Sequence, residues 1–245
     1  MKINVPAGNV TGGGGTDHFA NFEVYIGSPQ DDILTGGPNT DLLYGIEGND
    51  AITGGGGNDL IGPGAGNDGT VAAPIDGGPG QDGVDYYFSA SGTTIDLTAG
   101  TASDGLGGTD RLASIENVIG SIAGGDMVTG SDASNAMWGL GGDDTLRGGL
   151  ADDFLDGGAN NTSSPGDTLD GGPGTDTCLN GETIVPNTCE ATSGPVAFSS
   201  VLKAQKVAVA AFRQLGLGSG PKRQVSGMAA PARTAFQRRS RSSSE

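Results

Sequence analysis

Gly54-Gly55-Gly56-Gly57-Asn58-Asp59-Leu60-Ile61-Gly62 opens with four glycines, then places an aspartate two residues before an isoleucine. The same marks recur every nine residues around it. Asp32, Asp41, Asp50, Asp59 and Asp68 are nine apart, and Leu34, Leu43, Ile52 and Ile61 follow the first four by two. Gly27, Gly36, Gly45 and Gly54 precede those aspartates by five. After Asp68 the phase slips by five residues, placed at 69–73 so that Ile75 keeps the apolar position. Gly77-Gly78-Pro79-Gly80-Gln81-Asp82-Gly83-Val84 then restores it.

The second half repeats the spacing. Asp126, Asn135, Asp144 and Asp153 are nine apart, with Val128, Met137, Leu146 and Leu155 two residues on. A further five-residue slip near 160–164 leads to Asp167 with Leu169, then Asp176 with Cys178. Twelve units in phase with two slips are a repeat, not decoration of loops by chance. A longer period overlies it: Ile95-Asp96-Leu97-Thr98-Ala99-Gly100 resembles Ile3-Asn4-Val5-Pro6-Ala7-Gly8, and Ile115 to Ser121 resembles Phe22 to Ser28, at an offset of 92 to 93 residues. The expected organisation is therefore two duplicated modules, 1–85 and 86–190, followed by a tail, 191–245. The first module lacks a counterpart of Tyr86-Tyr87-Phe88, which leaves open that the natural chain extends further at its N-terminus.

Composition agrees with a repeat built on turns. Glycine supplies 48 of 245 residues, whereas an average share is about 7%. Residues 1–190 hold 28 acids and 3 bases, a charge of −25, while 191–245 hold 9 bases and 1 acid, a charge of +8. A tight turn needs positive φ at several positions, which glycine adopts without steric cost. The triplet around each apolar residue is one short strand with its middle side chain inward. Two nonamers then make one flat turn of a right-handed coil, stacked on the next at a strand spacing of about 4.8 Å. The expected fold is all-β: a right-handed parallel β-roll or β-helix solenoid with a thin double row of apolar residues inside.

The pattern resembles the repeat-in-toxin (RTX, hemolysin-type) calcium-binding family, whose consensus is G-G-x-G-x-D-x-U-x with U apolar. The resemblance covers residues 12–179. It implies calcium held between turns by aspartates and by carbonyls of the glycine turns. The implied aspartates are Asp32, Asp41, Asp50, Asp59, Asp68, Asp82, Asp126, Asp144, Asp153, Asp167 and Asp176. The implied turn positions are Gly36, Gly45, Gly54, Gly56, Gly77, Gly139 and Gly171. The aspartates are expected to pair across turns: Asp32 with Asp50, Asp41 with Asp59, Asp50 with Asp68, Asp59 with Asp82, Asp126 with Asp144, Asp144 with Asp167, and Asp153 with Asp176. Asn135 offers only a neutral oxygen, and Gln30, Asn39 and Ala151 stand where glycine is expected. Calcium takes 6–8 oxygen ligands, so roughly five to eight ions are expected; magnesium wants a tighter octahedron. Zinc is excluded in practice by one His and two Cys. Without calcium the acidic body should be largely unfolded.

Cys178 and Cys189, eleven apart, suit a disulfide capping the last coil, in keeping with the ends of secreted actinobacterial members of the family. The alternative is two free thiols. A disulfide and millimolar calcium both fit a secreted, extracellular location, although no Sec-type signal peptide is visible at Met1 to Pro6. No run of 18 apolar residues is present for a transmembrane segment. H-E-x-x-H and G-x-S-x-G are absent, and the glycine clusters lack the strand-to-helix context of dinucleotide binding. His18 reads as a surface residue and Trp138 as local packing. The chain by itself is expected to catalyse nothing.

In the tail, residues 199–215 read as a helix with Ser199 or Ser200 as N-cap and Gly216 as stop. Val201, Ala204, Ala208, Ala211, Phe212 and Leu215 share one face, with Lys203, Lys206 and Arg213 off it. Residues 216–245 read as disordered. The helix suits either contact with a membrane surface or acidic polymer, a secretion signal, or folding back on the acidic coil. Two functions from different classes follow from the resemblance. One is a monomeric structural or adhesive module that meets cell-surface or matrix polymers, with nucleic acid not favoured. The other is the accessory C-terminal part of a secreted protease or lipase.

Overall fold

The computed structural model describes residues 1–12, 15–18, 24–158, 166–186 and 188–190. The tail, with the helix expected at 199–215, lies outside the described residues, as does the second slip. The described residues form an all-β parallel solenoid of about eight turns, and no helix occurs among them. Their 21 strands fall into two sheets, one of 13 strands and one of 8.

The nine-residue spacing explains this. Consecutive apolar triplets alternate between the sheets, so each pairs with the triplet two units away. Leu34 lies beside Ile52, and Leu43 lies beside both Tyr25 and Ile61, each a step of 18 residues. Where five residues are inserted the step becomes 23, as between Ile61 and Val84, Leu146 and Leu169, and Leu155 and Cys178. The first insertion bulges as a loop closed by reciprocal amide–carbonyl bonds between Thr70 and Ala73. Ile75 thereby stays in the core, fully buried.

The eight-stranded sheet is parallel throughout, from Val24–Ile26 to Thr177–Leu179. The larger sheet is interrupted by antiparallel excursions. Lys2–Asn4, Asn9–Gly12 and Gly15–His18 form the first, and Thr94–Asp96, Thr101–Ser103 and Thr109–Ala113 form the second. The second excursion lies between two runs of parallel strands and joins them edge to edge.

The middle side chains of both sheets meet in one core, which includes Leu34, Leu43, Ile52, Ile61, Val128, Met137, Leu146 and Leu155. The residues flanking them point outward, because side chains alternate along a strand. On the 13-stranded sheet those flanks are largely wet: Ile33 is 42% and Met127 50% exposed. On the eight-stranded sheet they are not. Leu42, Tyr44, Leu60, Ile119, Ala136, Trp138 and Phe154 are buried and form a second apolar cluster. Trp138 and Phe154 pack with ring centroids 5.8 Å apart. The expectation of one thin double row is thus incomplete, because several triplets on this sheet are apolar at all three positions.

Truncating a middle residue should be costly and truncating an outward one should not. Ile61→Ala, fully buried, is expected to lose about 2–5 kcal/mol. Met127→Ala should stay within about 0.5 kcal/mol of the parent. Denaturant unfolding in saturating calcium measures both.

Candidate metal centre

Each repeat aspartate sits at the mouth of a strand and is held by the turn stacked on it. Asp50 Oδ1 accepts the main-chain N–H of Asp32 at 2.8 Å, and Asp59 Oδ1 accepts that of Asp41 at 2.8 Å. The series continues with Asp68 on Asp50, Asp82 on Asp59, Asp144 on Asp126, Asp167 on Asp144 and Asp176 on Asp153. All seven expected pairs are therefore neighbours. They meet through a charge-assisted amide–carboxylate bond rather than carboxylate against carboxylate, because parallel register sets each aspartate's side chain beside its neighbour's amide.

That bond occupies one oxygen and leaves the other. Oδ2 of Asp50, Asp59, Asp68, Asp82, Asp144, Asp153 and Asp176 is buried with no hydrogen-bond partner among the described residues. Each of these atoms except that of Asp68 points at the glycine of its own turn. A Cβ added to Gly77 would fall 2.8 Å from Asp82 Oδ2, and one on Gly171 2.5 Å from Asp176 Oδ2. A carbonyl from the next turn converges on the same place. Gly77 O lies 2.5 Å from a Cβ on Gly54, and Gly157 O lies 2.8 Å from one on Gly139. Gly36 and Gly45 are hemmed in alike, by Asp41 and Gly54 O and by Asp50 and Pro63 O. Gly56 is different, since a Cβ there meets only Pro38 at 3.8 Å. The positive φ of the turn falls on its neighbours, Gly55 at 109° and Gly57 at 111°.

The units that begin each run differ. Asp32 Oδ2 accepts the amide of Ser28, Asp41 Oδ2 that of Gly37 at 2.5 Å, and Asp126 Oδ2 that of Ser121 at 2.7 Å. Asn135 is closed as well. Its Oδ1 accepts from Ser131 at 2.7 Å and its Nδ2 donates to the Glu116 carbonyl at 2.8 Å.

A buried carboxylate oxygen without a donor is unfavourable when ionised. Burial pushes the carboxyls of Asp50, Asp59, Asp144 and Asp153 up from 3.8 to about 7, and Asp82 to about 6. The amide bonds pull the other way, and neighbouring acids add to the rise. Asp126, Asp176 and Glu116 are raised by burial as well. Burial raises Asp68 and Asp110 too, with repulsion from Asp110 adding to the rise at Asp68 and repulsion from Asp104 to that at Asp110.

Several members of these ladders escaped the aspartate spacing. Asp68 donates its amide to Asp110 Oδ1 at 3.0 Å. Asp82 donates to Glu116 Oε2 at 2.9 Å, Asp167 to Glu182 Oε2 at 2.8 Å, and Asp176 to Glu190 Oε2. The signal was present. Asp110 follows Gly105 by five and precedes Leu112 by two, and Glu116 and Glu182 stand two before Val118 and Ile184. Admitting glutamate at the aspartate position finds two of the three glutamates.

Among the described residues no three His, Cys, Asp or Glu side chains gather into a cluster that could by itself hold a metal ion. The donors offered are single carboxylate oxygens among main-chain carbonyls, the set that a hard oxygen-seeking cation takes. A family model of the RTX calcium-binding nonapeptide repeat matches residues 22–50, 35–69 and 129–163. The chain carries RTX calcium-binding repeats. No curated protein matches it. The RTX repeats bind calcium in a β-roll, and the orphaned Oδ2 atoms fit that ion. The matched stretches hold the aspartates from Asp32 to Asp68 and the units of Asn135, Asp144 and Asp153. Cys178 and Cys189 form a disulfide that ties Thr177–Leu179 to the segment after the last described strand, with Cα atoms 5.7 Å apart.

Two outcomes follow. Gly54→Ala should raise the calcium needed for half-maximal folding while Gly56→Ala leaves it nearly unchanged, read by titration followed with circular dichroism. The second concerns pH. These carboxyls titrate higher folded than unfolded, so their contribution to the metal-free fold is fully present below about pH 4 and is lost as pH rises through 6 to 7. In EDTA, strand signal should therefore be larger at pH 5 than at pH 8. Calcium competes with the same protons, so the calcium midpoint should rise as pH falls below 7.

Proposed function

We propose that the chain is a non-catalytic, calcium-loaded β-roll that acts outside the cell as a structural or adhesive module. The observation that carries this reading is the row of buried Oδ2 atoms converging with carbonyl oxygens of the next turn, at six aspartates: Asp50, Asp59, Asp82, Asp144, Asp153 and Asp176. Two stacked carboxylates at a strand spacing of about 4.8 Å repel by about 3 kcal/mol at an effective dielectric constant of 20. Calcium between the turns converts that repulsion into cross-linking. In this reading Asp50, Asp59, Asp68, Asp82, Asp144, Asp153 and Asp176 serve the tighter ions. Asp32, Asp41 and Asp126 serve weaker ones, because their second oxygen already has an amide donor.

The disulfide supports export to an oxidising compartment, where calcium is abundant. No helix among the described residues is long and apolar enough to cross a membrane. The two antiparallel excursions, offset by 92 residues at Lys2 and Thr94, support a duplication into modules 1–85 and 86–190. The module works as a monomer whose wet 13-stranded face meets polymers of the cell surface or matrix.

Calcium stoichiometry with the accompanying gain of strand signal tests the reading. Several ions and a folding transition in the sub-millimolar to millimolar range are expected. Equal strand signal in EDTA and in calcium at pH 8 would sink it. Asp59→Asn and Asp153→Asn should each need about tenfold more calcium, whereas Asp32→Asn should shift the midpoint much less.

A further inference from the structure

The outer face of the eight-stranded sheet is apolar and shut off from water, although a two-sheet roll has no layer outside it. Ile119 is 0%, Trp138 2% and Leu60 2% exposed. Every described strand belongs to one of the two sheets, so no third layer is built from them. We propose that residues 199–215 dock on this face as an amphipathic helix, forming that layer within the same chain.

Four observations point to this occupant. The first is the segment's pattern, with Ala208, Phe212 and Leu215 on its apolar face and Lys203, Lys206 and Arg213 off it. The second is charge, since a basic segment meets a body of 28 acids and 3 bases. The third is reach. Glu190 donates its amide to the Asp176 carbonyl at 2.9 Å, beside the last strand of this sheet. The nine residues from there to Ser199 span up to about 30 Å. A helix of 17 residues is about 26 Å long. The apolar row from Phe154 back to Leu60 crosses four strand spacings, about 19 Å.

The fourth is backbone strain. Gly55 and Gly149 hold positive φ at the second position of their turns, and the equivalents nine residues earlier are Ile46, at 91°, and Leu140, at 77°. Left-handed backbone is unfavourable for such side chains. Both pack against the outer cluster. Apolar side chains at strained positions are understandable where they enlarge a buried surface. Trp138, in the same outer cluster, has its Nε1 buried without an acceptor among the described residues.

Trp138 is the single tryptophan and reports on the face directly. In the calcium-saturated full chain its emission should be blue-shifted and poorly quenched by acrylamide, independent of protein concentration. The double substitution Ala208→Asp/Phe212→Asp should red-shift the emission and raise the quenching constant several-fold, with strand circular dichroism unchanged. Phe236→Asp, outside the segment, should do neither. As a second measurement, a protease site built into 192–197 is cut after folding, and the released C-terminal piece should co-elute with the roll. An accessible Trp138 in the parent chain, a double variant like the parent, a Phe236→Asp variant like the double one, or a freed piece that elutes alone would each overturn the proposal. Shielding that grows with concentration alongside a dimer would assign the face to a second copy and overturn it too.

Discussion

A carboxylate with one oxygen bound and one oxygen waiting governs this molecule. The Oδ1 bond to the amide of the turn beneath locks each aspartate in place without neutralising it. The second oxygen is then buried, and at Asp50, Asp59, Asp144 and Asp153 no donor among the described residues satisfies it. Such a group has two remedies, a proton or a cation. The burial that lifts these carboxyls toward neutral pH and the call for calcium are thus one physical fact seen twice. Glycine follows from it as well, because a side chain at Gly54 or Gly77 would fill the space where the oxygens converge.

Stacking makes the arrangement cooperative. Every inner aspartate is at once an acceptor for the turn on one side and a donor to the turn on the other, so a turn is complete only when both neighbours are present. The runs have ends, and the ends are treated differently. At Asp32, Asp41 and Asp126 the second oxygen is closed by an amide of its own loop. At Asp167 and Asp176 the outgoing amide is met by Glu182 and Glu190. The longer glutamate side chain reaches back from irregular chain to the place a stacked aspartate would occupy, and the disulfide of Cys178 ties that closing segment to the core.

Much of this was legible in the residues. The nine-residue phase determines the 18-residue step, because two triplets must alternate between two sheets for each to find a partner. The five-residue slip before Ile75 was legible too, since an apolar middle residue tolerates a bulged loop but not a change of phase. The neighbouring aspartates followed from the same register. What escaped was the use of each oxygen, which depends on loop conformation rather than spacing, and the units at Asp110, Glu116 and Glu182, where glutamate or an intervening excursion breaks the simple pattern.

The amino-acid sequence alone determined the solenoid, its repeat length and the rows of aspartates, because a strict period leaves a chain few ways to bury one side chain in nine. Only the tertiary structure decided which carboxylate oxygens are left without a donor and which face of the roll is dry. Both depend on what stacks on a residue from another turn, and period alone does not say what lies outside the second sheet. Leu42, Ile119 and Trp138 flank the middle residues of their strands. Placed in register on one sheet, they become a surface that water does not reach.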